Sequence, residues 1–542
     1  PVADSVAVDA PARSLLGAML RLEQGHEVGG GPDVVVLVGG SRRLFAMSLL
    51  PSQRSRIGLE VASPDPSSSS THEPYLNGKQ RYTMRLTRRQ FGFGTVATAS
   101  AAGLMLPKRA QAQSATSMNF AAPPEGMNIH PLLAKRDQKA ILSRIQGIMQ
   151  RDGYGALVVV KPENVMYSTG YYSKFAYGAG VPAGTQAVAV IPAEGDTAHL
   201  FINVMESDDA ARMTQDVEVS VIPGFVFVDD GTPESREEKS GNLDPLAGFE
   251  GAVAAAQDFA GDGKIGIEMG ALLGGLLAYV NDQVGDQAQD STPLIDEARL
   301  IKTPWEIDML RMACQHSERV QSRVAQQLEP GMNAIVIDNL IQSAAWEEDR
   351  EGSLGVMAYQ LGIGNYWGVS FAPRNYVIQR GDLCRIDGGG QHFGYISDIT
   401  RTWAVGGSPD PKHAETYDGL YAGFVKGIEL MKPGTKYSDM YAEVRAEVEK
   451  SPIFPQYARG HVGHSISLSP LLEDNPKFSP GVDTVLQPGM VVSLETSYMG
   501  AIGSYAPGPY NIEDSFVITE DGHERFSAAP DSVVWDGTMT TQ

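Results

Sequence analysis

A handful of residues in this chain are of types, and in surroundings, that could do metal chemistry. Asp387 closes the run Leu383-Cys384-Arg385-Ile386-Asp387, and Asp398 follows eleven residues later, beyond Gly388-Gly389-Gly390 and Tyr395-Ile396-Ser397. The segment reads as two strands joined by a Gly-rich reversal centred between His392 and Phe393, with Gly390 and Gly394 flanking the turn. That register sets the two carboxylates directly opposite each other, with Cβ atoms about 4.5–5.5 Å apart, where like charges repel. A divalent cation between them would offset the repulsion. The plainer alternative is an Asp that faces water or caps a turn.

Further donors lie downstream. Arg459-Gly460-His461-Val462-Gly463-His464 offers two histidines beside glycines. Glu495 ends the strand-like run Val491-Val492-Ser493-Leu494, and Glu513 sits inside Asn511-Ile512-Glu513-Asp514-Ser515-Phe516-Val517-Ile518. An acid within such a strand is unusual unless it is paired or coordinated. Carboxylates combined with an imidazole suit Mn, Fe, Co or Zn.

The elements that must position these groups need more than one domain. The chain has 542 residues, enough for two structured domains with extras. Its 65 acidic against 43 basic residues give a net charge of −22, which argues against nucleic acid as a partner. Cys314 and Cys384 read as packing residues in a helix and a strand. Residues 1–83 show no sustained period and run into a Ser/Pro linker at 63–70, as expected of a disordered or non-native upstream extension. Arg88-Arg89 before Phe91, an apolar run to Leu106 and Ala110-Gln111-Ala112 resemble a twin-arginine export signal over 84–112. The expectation is cleavage after Ala112, a periplasmic mature chain and no stable membrane span.

Residues 125–295 alternate helical stripes (133–151, 271–284) with strand-like runs (154–160, 187–191, 199–204, 217–222, 265–267), an α/β layer with an acidic loop at 225–241. Tyr171, Tyr172, Phe175 and Tyr177 could line a pocket at the domain junction or simply pack there. Thr303-Pro304-Trp305-Glu306 has the form of a capping box, opening a helix to about Gln327. Glu329-Pro330-Gly331 stops that helix, and a second helix follows over 334–351 within a domain spanning 296–530.

Several motifs resemble one family. Lys161-Pro162-Glu163-Asn164-Val165-Met166-Tyr167-Ser168-Thr169-Gly170 looks like a creatinase-type N-terminal segment, and 297–307 looks like the junction that follows it. The ordered set Asp387, Asp398, His464, Glu495 and Glu513 resembles the five-ligand site of the pita-bread metallopeptidases, which include methionine aminopeptidase, aminopeptidase P, prolidase and metal-free creatinase. Gly463-His464-Ser465-Ile466-Ser467-Leu468 matches the family's histidine motif better than the surroundings of His461, which the resemblance leaves as a catalytic or substrate group. The resemblance implies a creatinase-like α/β domain followed by a pita-bread catalytic domain, and a homodimer. It also implies two divalent ions: Asp387 on one, His464 and Glu495 on the other, Asp398 and Glu513 bridging. Glu495 would take a proton from a water held between them, and the reaction would be hydrolysis of an Xaa-Pro-type peptide.

The sequence also departs from that family. Two histidines that contact the scissile group in its peptidases are replaced by Ser370 and Leu471, and Thr496 stands where Pro usually follows the first Glu. Tyr366, Trp367, Ser370 and Leu471 are therefore the candidate substrate-binding positions. A second reading is a non-peptidase of the same fold acting on a small organic molecule, similar to the dimethylsulfoniopropionate lyases, although Gly389 stands where those carry an Asp. A third is an exported binding protein with a vestigial site.

Overall fold

The structure, a computed structural model, describes residues 129–173, 176, 187–222, 246–367, 375–455, 457–468 and 472–538, with short strands at 6–7, 35–40, 43–48, 58–61, 80–83 and 116–117. The export segment 84–112, the 225–241 loop, Phe175, Tyr177, Ser370 and Leu471 lie outside the described residues. The chain divides into two units, Pro1–Lys108 and Arg109–Gln542. In the first, five strands pair in chain order from Val6–Ala7 to Gln80–Thr83. The sequence predicts no regular structure there, but the run Val35-Val36-Leu37-Val38 has the β-branched character of a strand.

The second unit begins with a seven-stranded mixed sheet. Its order is Ala288–Asp290, Lys264–Ile267, Tyr154–Val159, Ala187–Pro192, Ala198–Asn203, Val217–Ile222 and Thr116–Ser117. Leu157 and Val159 face the core beneath helix Gln138–Asp152, while Ala156 and Val158 face the cluster that includes helix Ala247–Ala260. A strand buried on both faces needs the unbroken apolar run seen in the sequence. Asp137 caps the first helix by accepting from the Ala140 amide.

The junction forms as its residues predict. Thr303 Oγ1 accepts from the Glu306 amide at 3.3 Å and Glu306 Oε2 accepts from the Thr303 amide at 2.8 Å, opening helix Pro304–Gln327. The next helix, Ala334–Glu347, ends four residues short of its expected limit. A partly buried ion pair, Arg299 Nη2 to Asp474 Oδ2 at 2.6 Å, fastens the end of the first domain to the second.

Three sheets build the catalytic half. Leu383–Asp387 lies between Gln360–Ile363 and Arg401–Ala404. Gly390–His392 lies between Leu354–Met357 and Tyr395–Ile396. The third sheet runs Asp474–Lys477, Gly463–Ser465, Val491–Gly500, Gly508–Ile518, His523–Arg525, with helices Pro411–Leu430 and Tyr437–Val448 packed on it.

The register around Asp387 corrects the sequence-based expectation. Phe393 (φ 48°) and Gly394 (φ 84°) are both left-handed, and His392 pairs with Tyr395 across them, so the turn is centred one residue later than expected. Ile386 pairs with Arg401, which carries Asp387 opposite Thr400. Asp398 itself lies in the unpaired stretch before Thr400 and Arg401, so it is not the direct partner of Asp387. Gly388 (φ 87°) interrupts the strand between them, and a Cβ there would collide with the Ala358 carbonyl oxygen.

Candidate metal centre

The directly opposed acids prove to be the glutamates. Val491–Gly500 and Gly508–Ile518 pair with Glu495 against Glu513, and Gly463–Ser465 sets His464 against Ser493, one diagonal step from Glu495. The Asp hairpin joins this sheet through reciprocal backbone bonds between Thr400 and Glu513. Residues on one face of paired strands point together, so the acids and the imidazole converge.

His464 Nε2 lies 3.4 Å from Asp398 Oδ2 and 3.3 Å from Glu513 Oε1, and all three side chains are buried. Its Nδ1 lies 2.9 Å from the Ser465 carbonyl oxygen. His464 Nε2, Asp398 Oδ1 and Glu513 Oε1 are buried with no hydrogen-bond partner. Buried polar atoms of native proteins are nearly always satisfied, and three converging residues that each keep an atom without a hydrogen-bond partner fit a cation. One donor atom from each of these residues falls within 4.8 Å of the others. Burial, eased by His464 and worsened by Asp387 and Glu495, raises the Asp398 carboxyl to about 7. Burial and the neighbouring Asp398 and Glu495 also raise Glu513 well above the carboxylate range. Burial works against charge on His464, yet Asp398 and Glu513 raise its affinity for a proton well above the usual imidazole range. A divalent ion in that place would let all three give up their protons.

The other two acids have cationic partners. Asp387 Oδ2 accepts from Arg385 Nη1 at 2.9 Å and its Oδ1 from Thr400 Oγ1 at 2.8 Å. Glu495 Oε1 accepts from Arg459 and lies 3.4 Å from His461 Nδ1. Burial works to raise the Glu495 carboxyl, but Arg459, His464 and His461 more than offset it and leave it below its ordinary range. His461 stands at the rim, 3.7 Å from Glu473 Oε2. Trp367 lies against the site, its ring centroid 4.2 Å from the Arg385 guanidinium, while Tyr366 is more exposed and packs edge-on against Tyr376.

Sequence reasoning passed over Arg385, Arg459, Thr400, Glu473 and Asn511, whose Nδ2 donates to Glu513 Oε2 at 3.3 Å. Spacing could have found Arg385 and Asn511, each two residues before an acid on the same strand face.

Comparison with known proteins agrees with this architecture. Residues 141–301 match the Creatinase/Prolidase N-terminal domain and residues 308–520 match Metallopeptidase family M24. The chain carries a metallopeptidase family M24 domain behind a creatinase/prolidase N-terminal domain. It is accordingly a metal-dependent hydrolase, with a creatinase-like α/β domain ahead of its M24 catalytic domain. This M24 chain is 24% identical over 396 residues to an uncharacterized peptidase, YqhT, of Bacillus subtilis, covering 72% of the chain and 99% of that protein. It is 29% identical over 240 residues to an Xaa-Pro dipeptidase of Pyrococcus furiosus, covering 43% of the chain and 65% of that protein. Among solved structures, the Xaa-Pro dipeptidase from Bacillus anthracis superposes with a TM-score of 0.56 at 21% identity, over 73% of this chain and 99% of that one. The prolidase from Thermococcus sibiricus gives 0.58 at 20% identity, over 74% and 99%. At these identities the structural likeness concerns the fold alone.

Proposed function

We propose that this M24 chain is an Xaa-Pro-type aminopeptidase or dipeptidase that hydrolyses an amide bond of small peptides at the Asp398–His464–Glu513 centre. The observation that carries the reading is the convergence of ligand atoms from those three buried residues, each of which keeps an atom without a hydrogen-bond partner. At saturating metal, Asp387 would serve one ion, His464 and Glu495 the other, and Asp398 and Glu513 both. Divalent ions held there supply polarisation of a carbonyl oxygen and acidification of water. Glu495, kept ionised by Arg459, is the group placed to accept a proton from the attacking water. His461, 3.4 Å from Glu495 Oε1, orients that carboxylate and borders the substrate. The Tyr366-Trp367 segment closes the side of the site at Arg385.

The test is hydrolysis of Xaa-Pro dipeptides with added Mn or Co, against a panel of small amides, esters and betaines. Asp398→Ala should lose bound metal and lower peptide turnover at least about 100-fold, the scale lost with one transition-state donor. Unchanged metal content and turnover in that variant, or turnover of the small molecules alone, would defeat the reading.

We also propose twin-arginine export to the periplasm and a homodimer. Among the described residues no helix is long and apolar enough to cross a membrane. A processed protein beginning at Gln113, read by N-terminal sequencing, and a light-scattering mass of two protomers are the expected results.

A further inference from the structure

Asp398 holds its place without a strand of its own. Ser397, Asp398 and Ile399 lie outside any strand, between Tyr395–Ile396 and the bridge at Thr400. Side chains take over the task of a ladder. The Asp398 carbonyl oxygen lies 3.1 Å from Ser493 Oγ and 3.1 Å from Ser515 Oγ, and the two hydroxyls are 2.8 Å apart. These serines form a directly opposed pair, each two residues from Glu495 or Glu513 on its own strand and so on the same face. From the other side, helix Pro304–Gln327 brings up Ser317 and Gln321, one turn apart. Ser317 Oγ lies 2.6 Å from Ser397 Oγ, and Gln321 Nε2 donates to the Ile399 carbonyl oxygen at 3.0 Å. All four side chains are buried. The close approach requires Gly389, where a Cβ would run into both Ser317 Oγ and Ser397 Oγ.

We infer that Ser493, Ser515, Ser317 and Gln321 are positioning residues that set the Asp398 carboxylate beside His464 and Glu513, and that the two strand serines are redundant. A carbonyl oxygen accepts through two lone pairs, and each serine brings one hydroxyl proton within reach of it. Either serine alone therefore keeps the Asp398 carbonyl satisfied. Losing both leaves a buried acceptor unpaired and frees the stretch to turn. The inference rests on the proposed reading of the centre as a metal site, and it says which residues outside the ligand set decide how tightly that site holds its ion.

The test follows Co binding to chelator-stripped full-length protein, by competition with a chelating indicator and by the visible absorption of the bound ion. Ser493→Ala and Ser515→Ala should each weaken binding only about 3-fold, on the scale of one hydrogen bond. The double variant should weaken it about 100-fold, the upper scale on which outer partners tune metal affinity, and shift the Co absorption. Ser493→Ala combined with Ser515→Thr, which keeps one hydroxyl, should return both readouts to the single-variant level. Gln321→Met should weaken binding about 10-fold from the helix side, and it decides the matter if the double variant does not fold. Ser322→Ala is the control: its hydroxyl, buried on the same helix, donates to the Gly537 carbonyl oxygen. That change should lower stability and leave Co affinity and absorption unmoved. Wild-type affinity and absorption in a folded double variant, or in Gln321→Met, would overturn the inference and leave the metal reading standing. No Co uptake by the wild type would defeat both.

Discussion

Among single side chains, His392 carries a pH signal of its own outside the metal centre. It is fully buried, its Nδ1 lies 2.6 Å from Ser353 Oγ, and its ring stands edge-on to His316 with centroids 5.0 Å apart. Burial and the neighbouring His316 lower it from 6.5 to about 4, with Asp349 at 4.0 Å only partly opposing them. The folded protein therefore keeps His392 neutral where the unfolded chain takes up a proton. Stability from this group is complete above 6.5 and is lost as pH falls toward 4. About 3 kcal/mol should disappear across that window, and denaturant unfolding of His392→Asn should show a shallower acid loss than wild type. At this scale the sequence is legible where a residue type is chemically distinctive. His464 stands out through its Gly463-His464-Ser465-Ile466 surroundings, and the acids through their place in apolar strands. Arg459 does not, because a basic residue in a sequence ordinarily reads as solvated surface and only the third dimension puts it against Glu495, whereas Arg385 is legible only through its place two residues before Asp387 on one strand.

At the scale of elements, local chemistry and register part company. The capping box at Thr303 is legible because its two bonds span only three residues. Thr303→Ala should cost about 1 kcal/mol in unfolding free energy, because two amides at the start of a long helix lose their arrangement. The register of the Asp hairpin is not legible in the same way. It depends on Phe393 accepting a positive φ, which a bulky residue rarely does and no propensity reports. The opposed glutamates escaped notice for a related reason: the pairing of Val491–Gly500 with Gly508–Ile518 is set by the loop between them and by what lies beneath both strands. Gly388 gives this scale its second prediction. With a left-handed backbone and the Ala358 carbonyl against it, Gly388→Ala should destabilise the protein by more than about 1 kcal/mol and reduce metal retention, read by unfolding and elemental analysis together.

For the molecule as a whole, two sheets of the catalytic half meet at a centre where Asp398 and Glu513 each keep a buried oxygen without a hydrogen-bond partner. Chelation leaves those carboxylates crowded in a dry place. Added divalent metal should raise the melting temperature, with about 2.7 kcal/mol of stabilisation at a hundredfold excess over the dissociation constant. Calorimetry of stripped and reloaded protein checks it, and an unmoved transition would count against any ion at the centre. The Phe393-Gly394 turn bears on the molecule in another way, as a matter of inheritance. Gly394 lies four residues before Asp398, and the turn sets the register of the chain that delivers Asp398 beside His464. One residue inserted there, unless a bulge absorbs it, would shift that register and draw Asp398 away from His464. A descendant carrying that insertion would keep every acid and histidine of the motif in order and would have lost the centre they describe.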